Sequence, residues 1–451
     1  MENKRSNFTG KLGFVLAAAG SAVGLGNIWR FPYLAAKYGG GIFLLVYLVL
    51  AVTFGFTLLT AEISLGRKTG LSAIGAFKKL SSKYAFIGYL ASIVPIIILP
   101  YYCVIGGWVT KYLVSFIMGQ SALMADSSFF GSFIGKPVEP VLWFSLFLGI
   151  TSVVVLCGVE KGIEKVSKIM MPVLIVLSIF IAGYTLFMPG AIEGVKYYLL
   201  PDFGKFSVNT VLGAMGQLFY SMSLAMGIMI TYGSYMKKNV NLESSVHQIE
   251  IFDTGIAFLA GLMIIPAVFV FSGGDESALG QGPGLMFVTL PKVFESMTGG
   301  TVIGVLFFLL VLFAALTSSI SLMETIVSIF CDKFKMNRKP ACVLVFVLSL
   351  LLGIPSSLGN GIWADVKIIG MDFLTFFDFI SNSVIMPIVA LLTCIFVGYV
   401  IKPSAVSEEV ELSGKFKAKA LFNAVIKYFA PICIVLILIS SVLSAMGIIS
   451  I

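Results

Sequence analysis

The chain has 451 residues, of which 58% are hydrophobic and only 12% are charged, and its mean hydropathy is +1.03. A soluble domain has about 25% charged residues, so these values exclude a soluble protein and indicate one that is embedded in a membrane. The net charge of +8 follows the placement of lysine and arginine around the predicted spans, and it gives no indication of a nucleic-acid partner.

Long uncharged runs predict eleven transmembrane helices. About 20 helical residues are needed to cross a hydrocarbon core about 30 Å thick. The predicted spans are residues 12–29, 38–61, 84–110, 140–159, 169–192, 206–236, 254–274, 296–323, 340–364, 379–401 and 428–451. Because no charged or low-complexity linker divides them, we predict a single transmembrane domain over residues 1–451.

The basic residues concentrate on one side of this pattern. If the N-terminus is cytoplasmic, most of the 30 lysine and arginine residues fall in cytoplasmic segments, as the positive-inside rule requires. The odd number of spans then places the C-terminus outside. The short connection between spans 3 and 4 suggests a bacterial inner membrane.

Residue types that catalysis needs are scarce. His247 is the only histidine, and the six cysteines show no C-x-x-C spacing, so the sequence offers neither a zinc cluster nor a Ser-His-Asp triad. No G-x-x-x-x-G-K-[ST] motif for ATP is present. We therefore expect a transporter and not an enzyme.

Eleven spans can be divided into five, five and one. The two units would cover residues 10–190 and 206–401, with an extra helix over residues 424–451. A unit with an odd number of spans enters the membrane upside down the second time, which is the inverted-repeat plan of many secondary transporters. That plan places interrupted helices at corresponding positions, which here are spans 1 and 6.

Span 1 contains a sequence that disfavours a continuous helix. Three glycines in residues 20–26 are followed by Asn27, Arg30 and Pro32, at a cost of about 1 kcal/mol for each glycine and about 3 kcal/mol for the proline. A Gly-x-x-x-Gly packing face is the alternative. It does not account for Arg30, because a buried arginine needs a cavity or a partner. We therefore predict a break in span 1.

Span 6 gives a weaker signal. Residues 217–227 contain Ser221, Ser223 and Gly227, which are also ordinary contacts between membrane helices. Because span 6 occupies the position in the second unit that span 1 occupies in the first, we predict an unwound segment here too.

The sequence resembles the neurotransmitter:sodium symporter family, in its bacterial eleven-span branch. The resemblance lies in AGSAVGLGNIWRFP (19–32), GGG (39–41), AEISLGR (61–67), YY (101–102), KGIEKVSKIMMP (161–172), GQLFYSMSLAMG (216–227), TYGSY (231–235), VTLP (288–291) and FAALTSSIS (313–321). It implies an all-α membrane protein with the LeuT fold, a 5+5 inverted repeat plus one helix, unwound helices 1 and 6, and sodium-coupled amino-acid import by alternating access.

The resemblance also implies two sodium sites. The first would be formed by the Ala22 carbonyl, Asn27, Ser221, Asp253 and the substrate carboxylate. The second would be formed by the carbonyls of Gly20, Val23 and Ala314 and the hydroxyls of Thr317 and Ser318. Hard oxygen ligands suit such an ion, and unwound backbone can supply carbonyls at the membrane midplane. For Thr317 and Ser318, bonding back to the preceding turn of their own helix is the alternative role.

A substrate site is implied at the same level of the membrane. Its residues would be Ala22, Gly24, Leu25, Gly26, Ile98, Tyr102, Tyr220, Ser221, Ser223, Met226, Ser318 and Leu322. The amides of the span 1 break and the Tyr102 hydroxyl would hold the carboxylate, and carbonyls near Tyr220 and Ser223 would receive the ammonium. The other side chains of the implied site are apolar and uncharged, which predicts neutral hydrophobic L-amino acids, aliphatic and aromatic, as substrates.

Two gates are implied above and below this site. At the outer gate Arg30 would pair with Asp378, or alternatively with Asp372. At the inner gate Arg5 would pair with Asp332, next to Tyr235. Glu62 matches a family position that braces unwound backbone, whereas Glu324 has no assigned role.

Two features depart from the best-known members of the family. Asp253 stands where an asparagine is usual, and Ala257 lacks a polar group near the chloride position of animal members, so we expect no chloride requirement. In the alternative interpretation Asp253 pairs with a loop base such as Lys238.

Gly162 has the spacing from Pro172 that accompanies an unwinding fifth helix in some relatives, or it is a loop residue at a helix start.

A sodium-dependent sensor, or a transporter of another small amine or amino acid, would keep the same core and is the alternative function. The sequence leaves open the preferred amino acid, the sodium stoichiometry, proton return and whether the protein is a monomer or a homodimer.

Overall fold

The structure is a computed structural model that describes residues 7–273 and 283–445. Within these residues it consists of helices joined by short connections, and the only β-type pairings it describes are isolated bridges at Gly40–Pro201 and Ile368–Met371. This all-helical architecture agrees with the predicted fold class.

Thirteen helices or half-helices form the bundle. They are α1 (Lys11–Ala22), α2 (Gly26–Lys37), α3 (Gly41–Thr69), α4 (Ser82–Ile117), α5 (Glu139–Leu156), α6 (Val159–Leu186), α7 (Val208–Ser221), α8 (Ile228–Gly233), α9 (Leu242–Ser272), α10 (Gly300–Phe334), α11 (Arg338–Leu358), α12 (Phe373–Val400) and α13 (Lys419–Ser444). Shorter helices in the connections are Ala73–Leu80, Ser121–Met124, Phe129–Ile134, Ala191–Leu199, Leu290–Ser296 and Lys402–Glu411.

These helices account for the predicted spans as follows. Among the described residues, nine continuous helices are long and apolar enough to cross a membrane, and α1 with α2 forms a tenth span that bends by 55°. The sixth predicted span corresponds to α7 and α8, each of which is too short to cross on its own. Spans 1 and 6 are therefore the two interrupted helices, as the sequence predicts.

Several helices extend beyond the uncharged runs that predicted them. α3 continues through Arg67 to Thr69, α9 begins at Leu242 before Glu243, and α10 continues to Phe334. The charged side chains at these ends have partners: Arg67 Nε lies 2.8 Å from Glu409 Oε1, and Glu243 accepts the Ala418 N–H at 2.8 Å. Because paired charges can be carried on a helix past the apolar core, an uncharged run underestimates helix length.

The broken helices lie inside the bundle. α1 packs against α6, α9 and α10, while α8 packs against α3 and α10. We call the end that contains the start of α1 and the Arg67 end of α3 the inner end, because its basic residues predict a cytoplasmic location, and the opposite end the outer end.

Candidate binding site at the helix breaks

The first break separates α1 from α2 at residues 23–25. Val23 has extended backbone angles (φ −70°, ψ 105°), and α2 begins with a π-helical turn over Gly26–Arg30. Pro32 falls in the first turn of the α-helix that follows, where its missing N–H costs little. The break thus leaves backbone amides and carbonyls near the bundle centre without helical partners.

The second break separates α7 from α8. Ser223 (φ 53°), Ala225 (φ 61°) and Gly227 (φ 73°) all adopt left-handed backbone conformations, which cost roughly 1–2 kcal/mol for each non-glycine residue. Glu62, buried on α3, accepts the Ala225 N–H at 2.7 Å through Oε1. This is the bracing contact that the resemblance led us to expect of Glu62.

The two breaks contact each other directly. The Ser223 hydroxyl donates to the Ser21 carbonyl at 2.9 Å, and the Ser21 hydroxyl lies 3.2 Å from the Ser223 hydroxyl. The end of α1 and the unwound segment between α7 and α8 therefore approach each other through polar groups.

A small cavity lies between the breaks. Each of the twelve residues predicted for the substrate site lines it: Ala22, Gly24, Leu25, Gly26, Ile98, Tyr102, Tyr220, Ser221, Ser223, Met226, Ser318 and Leu322. Asn27, predicted as a sodium ligand, also lines it. Sequence reasoning missed Ser21 and Ile228, although both adjoin the glycines and small residues that mark the breaks.

Two glycines make room for this cavity. A Cβ on Gly24 would lie 2.7 Å from Ser318 Oγ and 3.1 Å from the Tyr102 hydroxyl oxygen, and a Cβ on Gly26 would lie 2.5 Å from the Tyr220 ring. The Leu25 N–H points at the Tyr102 hydroxyl at 3.4 Å. The Leu25 N–H at the start of α2 therefore lies beside the Tyr102 hydroxyl at the cavity, and the start of a helix suits an anion such as a carboxylate.

The residues predicted for the first sodium site lie together. Asn27 Nδ2 donates to Asp253 Oδ1 at 2.8 Å and to Ser221 Oγ at 3.0 Å, and Ser221 Oγ donates to Asp253 Oδ1 at 2.7 Å. Tyr47, which sequence reasoning missed, donates to Asp253 Oδ2 at 3.3 Å. Asp253 is fully buried, so its carboxylate brings a negative charge to the edge of the cavity whenever it is ionised.

Oxygens predicted for the second sodium site also cluster. Ser318 Oγ lies 3.2 Å from the Val23 carbonyl, and Thr317 Oγ1 donates to the Ala314 carbonyl at 3.1 Å. A Cβ on Gly20 would lie 3.1 Å from the Thr317 Cβ, so α1 and α10 are in close contact here. Thr317 makes the bond along its own helix that the alternative role requires, while Ser318 reaches across to the broken helix.

The residues predicted for the outer gate are not in direct contact. Both are described, yet no ion pair within 4 Å joins Arg30 to Asp378; the Arg30 guanidinium lies 5.5 Å from the centre of the Tyr220 ring. Asp378 Oδ1 instead accepts hydrogen bonds from the Tyr101 hydroxyl at 3.1 Å and from Asn382 Nδ2 at 2.7 Å. In this structure the expected pair is open, and the Asp378 carboxyl group is held by Tyr101 and Asn382 instead.

Asp372, the alternative partner of Arg30, has a structural role. Its carboxylate accepts the Thr375 N–H at 3.0 Å and the Thr375 hydroxyl at 2.7 Å, and so caps the N-terminus of α12. A capping carboxylate stabilises its helix by about 1 kcal/mol. Asp378 is therefore the better placed of the two for a gate.

At the inner gate, Arg5 lies outside the described residues. Asp332 accepts the Ser72 N–H at 2.8 Å. The Phe8 N–H donates to the Tyr235 carbonyl at 3.1 Å, and the Phe8 ring packs edge-on against the rings of Tyr232 and Tyr235. The N-terminal segment is thus held against the end of α8.

The structure gives Glu324 the partners that the sequence did not. The Tyr235 hydroxyl donates to Glu324 Oε1 at 2.7 Å, and the Arg338 guanidinium binds both Glu324 oxygens, with Nη1 at 3.1 Å from Oε1. Arg338 Nε also donates to the Val155 carbonyl at 3.0 Å. The sequence shows Arg338 only as one of several basic residues between two predicted spans, which gives no sign of its partner. Together these groups join α5, α10 and α11 to the segment that follows α8 at the inner end.

Two alternatives from the sequence are settled by position. Lys238 pairs with Glu409 at 2.6 Å, so the interpretation of Asp253 as its surface partner is wrong. Gly162 lies in the π-helical first turn of α6 (Val159–Glu164), where a Cβ would overlap the Val154 carbonyl. It is a helix-packing residue and not a loop residue, and α6 is helical on both sides of Pro172.

Comparison with known proteins gives the following matches. The chain matches the model of the Sodium:neurotransmitter symporter family over residues 5–125 and 133–448. It is 36% identical over 444 residues to the uncharacterized sodium-dependent transporter YhdH of Bacillus subtilis, with 97% of each chain covered. It is 34% identical to an uncharacterized sodium-dependent transporter of Haemophilus influenzae, with 97% of this chain and 98% of the relative covered.

The chain is also similar to a more distant relative and to a solved structure. Human sodium- and chloride-dependent GABA transporter 2 is 27% identical, with 78% of this chain and 67% of the human chain covered. The crystal structure of MhsT in complex with L-phenylalanine matches with a TM-score of 0.87 at 40% identity, and covers 97% of this chain and 100% of that chain.

Proposed function

Because the chain belongs to the sodium:neurotransmitter symporter family and is a multi-pass, sodium-dependent transporter with the LeuT fold, we propose that it imports neutral hydrophobic L-amino acids together with sodium by alternating access. Both aliphatic and aromatic side chains are substrates in this proposal. The observation that carries it is the cavity at the helix breaks, whose lining includes no charged side chain.

The cavity has separate features for the two ends of an amino acid. At the carboxylate end are the N–H groups at the start of α2 and the Tyr102 hydroxyl, 3.4 Å from the Leu25 nitrogen. At the ammonium end are the unwound carbonyls near Ala22, Tyr220 and Ser223, which are acceptors only. Ile98, Met226 and Leu322 surround the side chain with apolar surface, where a charge would be left without a partner.

Two sodium ions accompany the substrate in this proposal. The first is bound by the Ala22 carbonyl, Asn27, Ser221 and Asp253, and the second by the carbonyls of Gly20, Val23 and Ala314 with Thr317 and Ser318. The short distances among these oxygens support both sites, since a hydroxyl that rotates its O–H away can turn a lone pair toward a cation that the neighbouring carbonyl oxygen also ligates.

In this proposal the two gates open the cavity to one side of the membrane at a time. In this structure the inner end is held by the contacts of Tyr235, Glu324 and Arg338, and Arg5 with Asp332 would add to them. At the outer end the Arg30 and Asp378 side chains are separate, and their pairing above Tyr102 and Tyr220 would close the cavity from outside. We also propose a cytoplasmic N-terminus, an external C-terminus and independence from chloride.

Substrate choice is testable by competition binding. With labelled L-phenylalanine as the probe in sodium, we expect leucine, tyrosine and tryptophan to compete, and lysine and glutamate to compete at least about a hundredfold less well, because a buried unpaired charge costs several kcal/mol. Met226→Ala should weaken the binding of leucine more than the binding of tryptophan. The substitution leaves a gap in the apolar wall of the cavity, and the smaller leucine side chain cannot fill that gap.

Met263→Ala is the matched control. Met263 is also buried, but it lines a separate apolar cavity with Ile181 and Phe307, so its truncation should leave the order of substrates unchanged. Sodium-dependent binding of lysine or glutamate, with leucine and tryptophan inactive, would contradict the proposed substrate class.

A further inference from the structure

A buried threonine on α5 faces a buried serine on α10. Of the residues that the structure describes on α5, Thr151 is the only buried polar one, and it shares the buried face of the helix with Phe147, Leu148 and Val155. Its hydroxyl oxygen lies 2.8 Å from Ser319 Oγ. Because a buried hydroxyl without a partner is costly, this bond favours one rotation of α10 relative to α5.

A second contact between the two helices lies one turn further along α10. Ser152 Oγ donates to the Leu148 carbonyl of its own helix at 2.7 Å and lies 3.4 Å from Met323 Sδ on α10. Ser319 and Met323 are four residues apart, which is about one turn of helix. α10 therefore meets α5 through polar or sulfur contacts on two successive turns, which opposes rotation of α10 about its own axis.

α5 is itself held in place by close contacts with two other helices. A Cβ on Gly106 of α4 would lie 2.5 Å from the Phe147 ring, and a Cβ on Gly353 of α11 would overlap the Phe144 ring. Interiors packed this closely allow little adjustment. α5 therefore presents α10 with a surface whose position α4 and α11 determine.

The turn of α10 that contacts Thr151 also carries the hydroxyls proposed to bind the second sodium ion. Ser318 Oγ lies 3.2 Å from the Val23 carbonyl at the break of α1, and Thr317 directly precedes it. Successive residues of a helix point roughly 100° apart, so Ser318 can face α1 while Ser319 faces α5. A rotation of α10 that breaks the bond to Thr151 would therefore also shift the Ser318 hydroxyl relative to the Val23 carbonyl.

We propose that Thr151 is a positioning residue for the second sodium ion, which it does not itself touch. Its bond to Ser319 fixes the rotation of α10 and so aims the hydroxyls of Thr317 and Ser318 at the break of α1. The assignment rests on the proposed function, because it presupposes that a sodium ion binds between α1 and α10. It gives α5, a helix without a proposed ligand, a part in holding that ion.

The sodium dependence of L-phenylalanine binding tests this role. Thr151→Val keeps the shape of the side chain and removes the hydroxyl, while Ser319 keeps its bond to the Leu316 carbonyl at 3.0 Å, so the variant should fold. We expect the sodium concentration for half-maximal binding to rise about fivefold, the effect of one neutral hydrogen bond. Phenylalanine affinity at saturating sodium should stay unchanged, and Thr151→Ser, which retains the hydroxyl, should restore the parent sodium dependence.

Ser319→Ala removes the other half of the bond. It should raise the half-maximal sodium concentration by a similar factor, and it should add little when combined with Thr151→Val, because both substitutions break the same contact. The Thr151 hydroxyl then keeps its bond to the Phe147 carbonyl at 3.1 Å. Ser319→Ala therefore decides the question even if Thr151→Val does not fold.

Thr185→Val is the matched control. Thr185 is also a buried threonine that joins two helices, since its hydroxyl donates to the Ile181 carbonyl of α6 at 3.0 Å and to the Met263 carbonyl of α9 at 3.3 Å. It lies fourteen residues, or roughly 21 Å of helix, beyond Met171, the residue of α6 that contacts Gly20. Its substitution should leave the sodium dependence unchanged.

Three results would contradict these expectations, each in a different way. Sodium dependence equal to the parent in both Thr151→Val and Ser319→Ala would overturn the positioning role and leave the proposed function intact. A similar rise in Thr185→Val would also overturn the positioning role, because the effect would then follow from the loss of any buried bond between helices. Absence of sodium-dependent binding in the parent would overturn the proposed function, and the positioning role with it.

Discussion

Replacing Thr317 with valine and Ser318 with alanine should abolish sodium-dependent uptake in a protein that still folds. The double variant removes two hydroxyl oxygens from the contact between α10 and the break of α1, where Ser318 Oγ lies 3.2 Å from the Val23 carbonyl. A polar contact to a charged partner contributes roughly 1.5–3 kcal/mol. We therefore expect the apparent sodium affinity to fall at least about a hundredfold, measured as the sodium dependence of L-phenylalanine binding and uptake.

Thr110→Val with Ser115→Ala provides a matched control. Both residues are buried on α4, and the Thr110 hydroxyl bonds to the Gly106 carbonyl along its own helix at 2.8 Å, so the control removes the same groups away from the proposed ion. If the sodium dependence of the Thr317 and Ser318 variant equals that of this control, the two hydroxyls serve only their helix.

Asp253→Asn should lower sodium affinity or create a requirement for chloride. In the proposed function, two sodium ions and a zwitterion bring two net positive charges into a cavity of low dielectric constant, where charges interact far more strongly than in water. The Asp253 carboxylate is a fixed negative charge among Asn27, Ser221 and Tyr47, whose donors all point at it. With these donors occupied and Ala257 offering none, we expect the unmodified protein to transport equally in chloride and in gluconate.

The comparison with the human relative makes this test specific, because that protein is named as sodium- and chloride-dependent. Glu250→Gln is the control: Glu250 is also a buried acid on α9, one helical turn before Asp253, but it bonds to His247 at 3.1 Å and is not one of the residues proposed to bind sodium. Ion dependences that stay unchanged in Asp253→Asn would show that this carboxylate does not balance the sodium charge.

The break in span 1 could be predicted from its local sequence, whereas the break in span 6 could be predicted only from its matching position in the second unit. Closely spaced glycines disfavour helix wherever the chain places them, and both breaks occur within the segments that the sequence indicated, at residues 23–25 and 222–227. The membership of the cavity could not be predicted from periodicity, since Ile98 and Leu322 read as ordinary apolar positions. Their assignment to the substrate site followed from the family resemblance, and the structure places both residues in the lining of the cavity beside the breaks. The inverted repeat remains a prediction that the paired breaks support.

The polar contacts across the bundle could not be predicted, because they depend on residues far apart in the chain. Tyr101 and Asp378 are separated by 277 positions and Arg67 and Glu409 by 342, and nothing local to either member identifies its partner. Arg338 lies only 14 positions from Glu324. Even so, the sequence indicates only a basic residue between two predicted spans. Its contact with α10 depends on the path of the turn between α10 and α11.

Uptake of labelled L-phenylalanine into proteoliposomes tests the central claim most directly. One sodium ion entering across about 100 mV and down a tenfold gradient releases about 3.7 kcal/mol, so two ions could drive accumulation by roughly 10⁵-fold. We predict electrogenic accumulation against the phenylalanine gradient when sodium is outside and the interior is negative, and none when potassium replaces sodium. Equal uptake in potassium, or sodium-dependent binding without accumulation as expected of a sensor, would contradict the account.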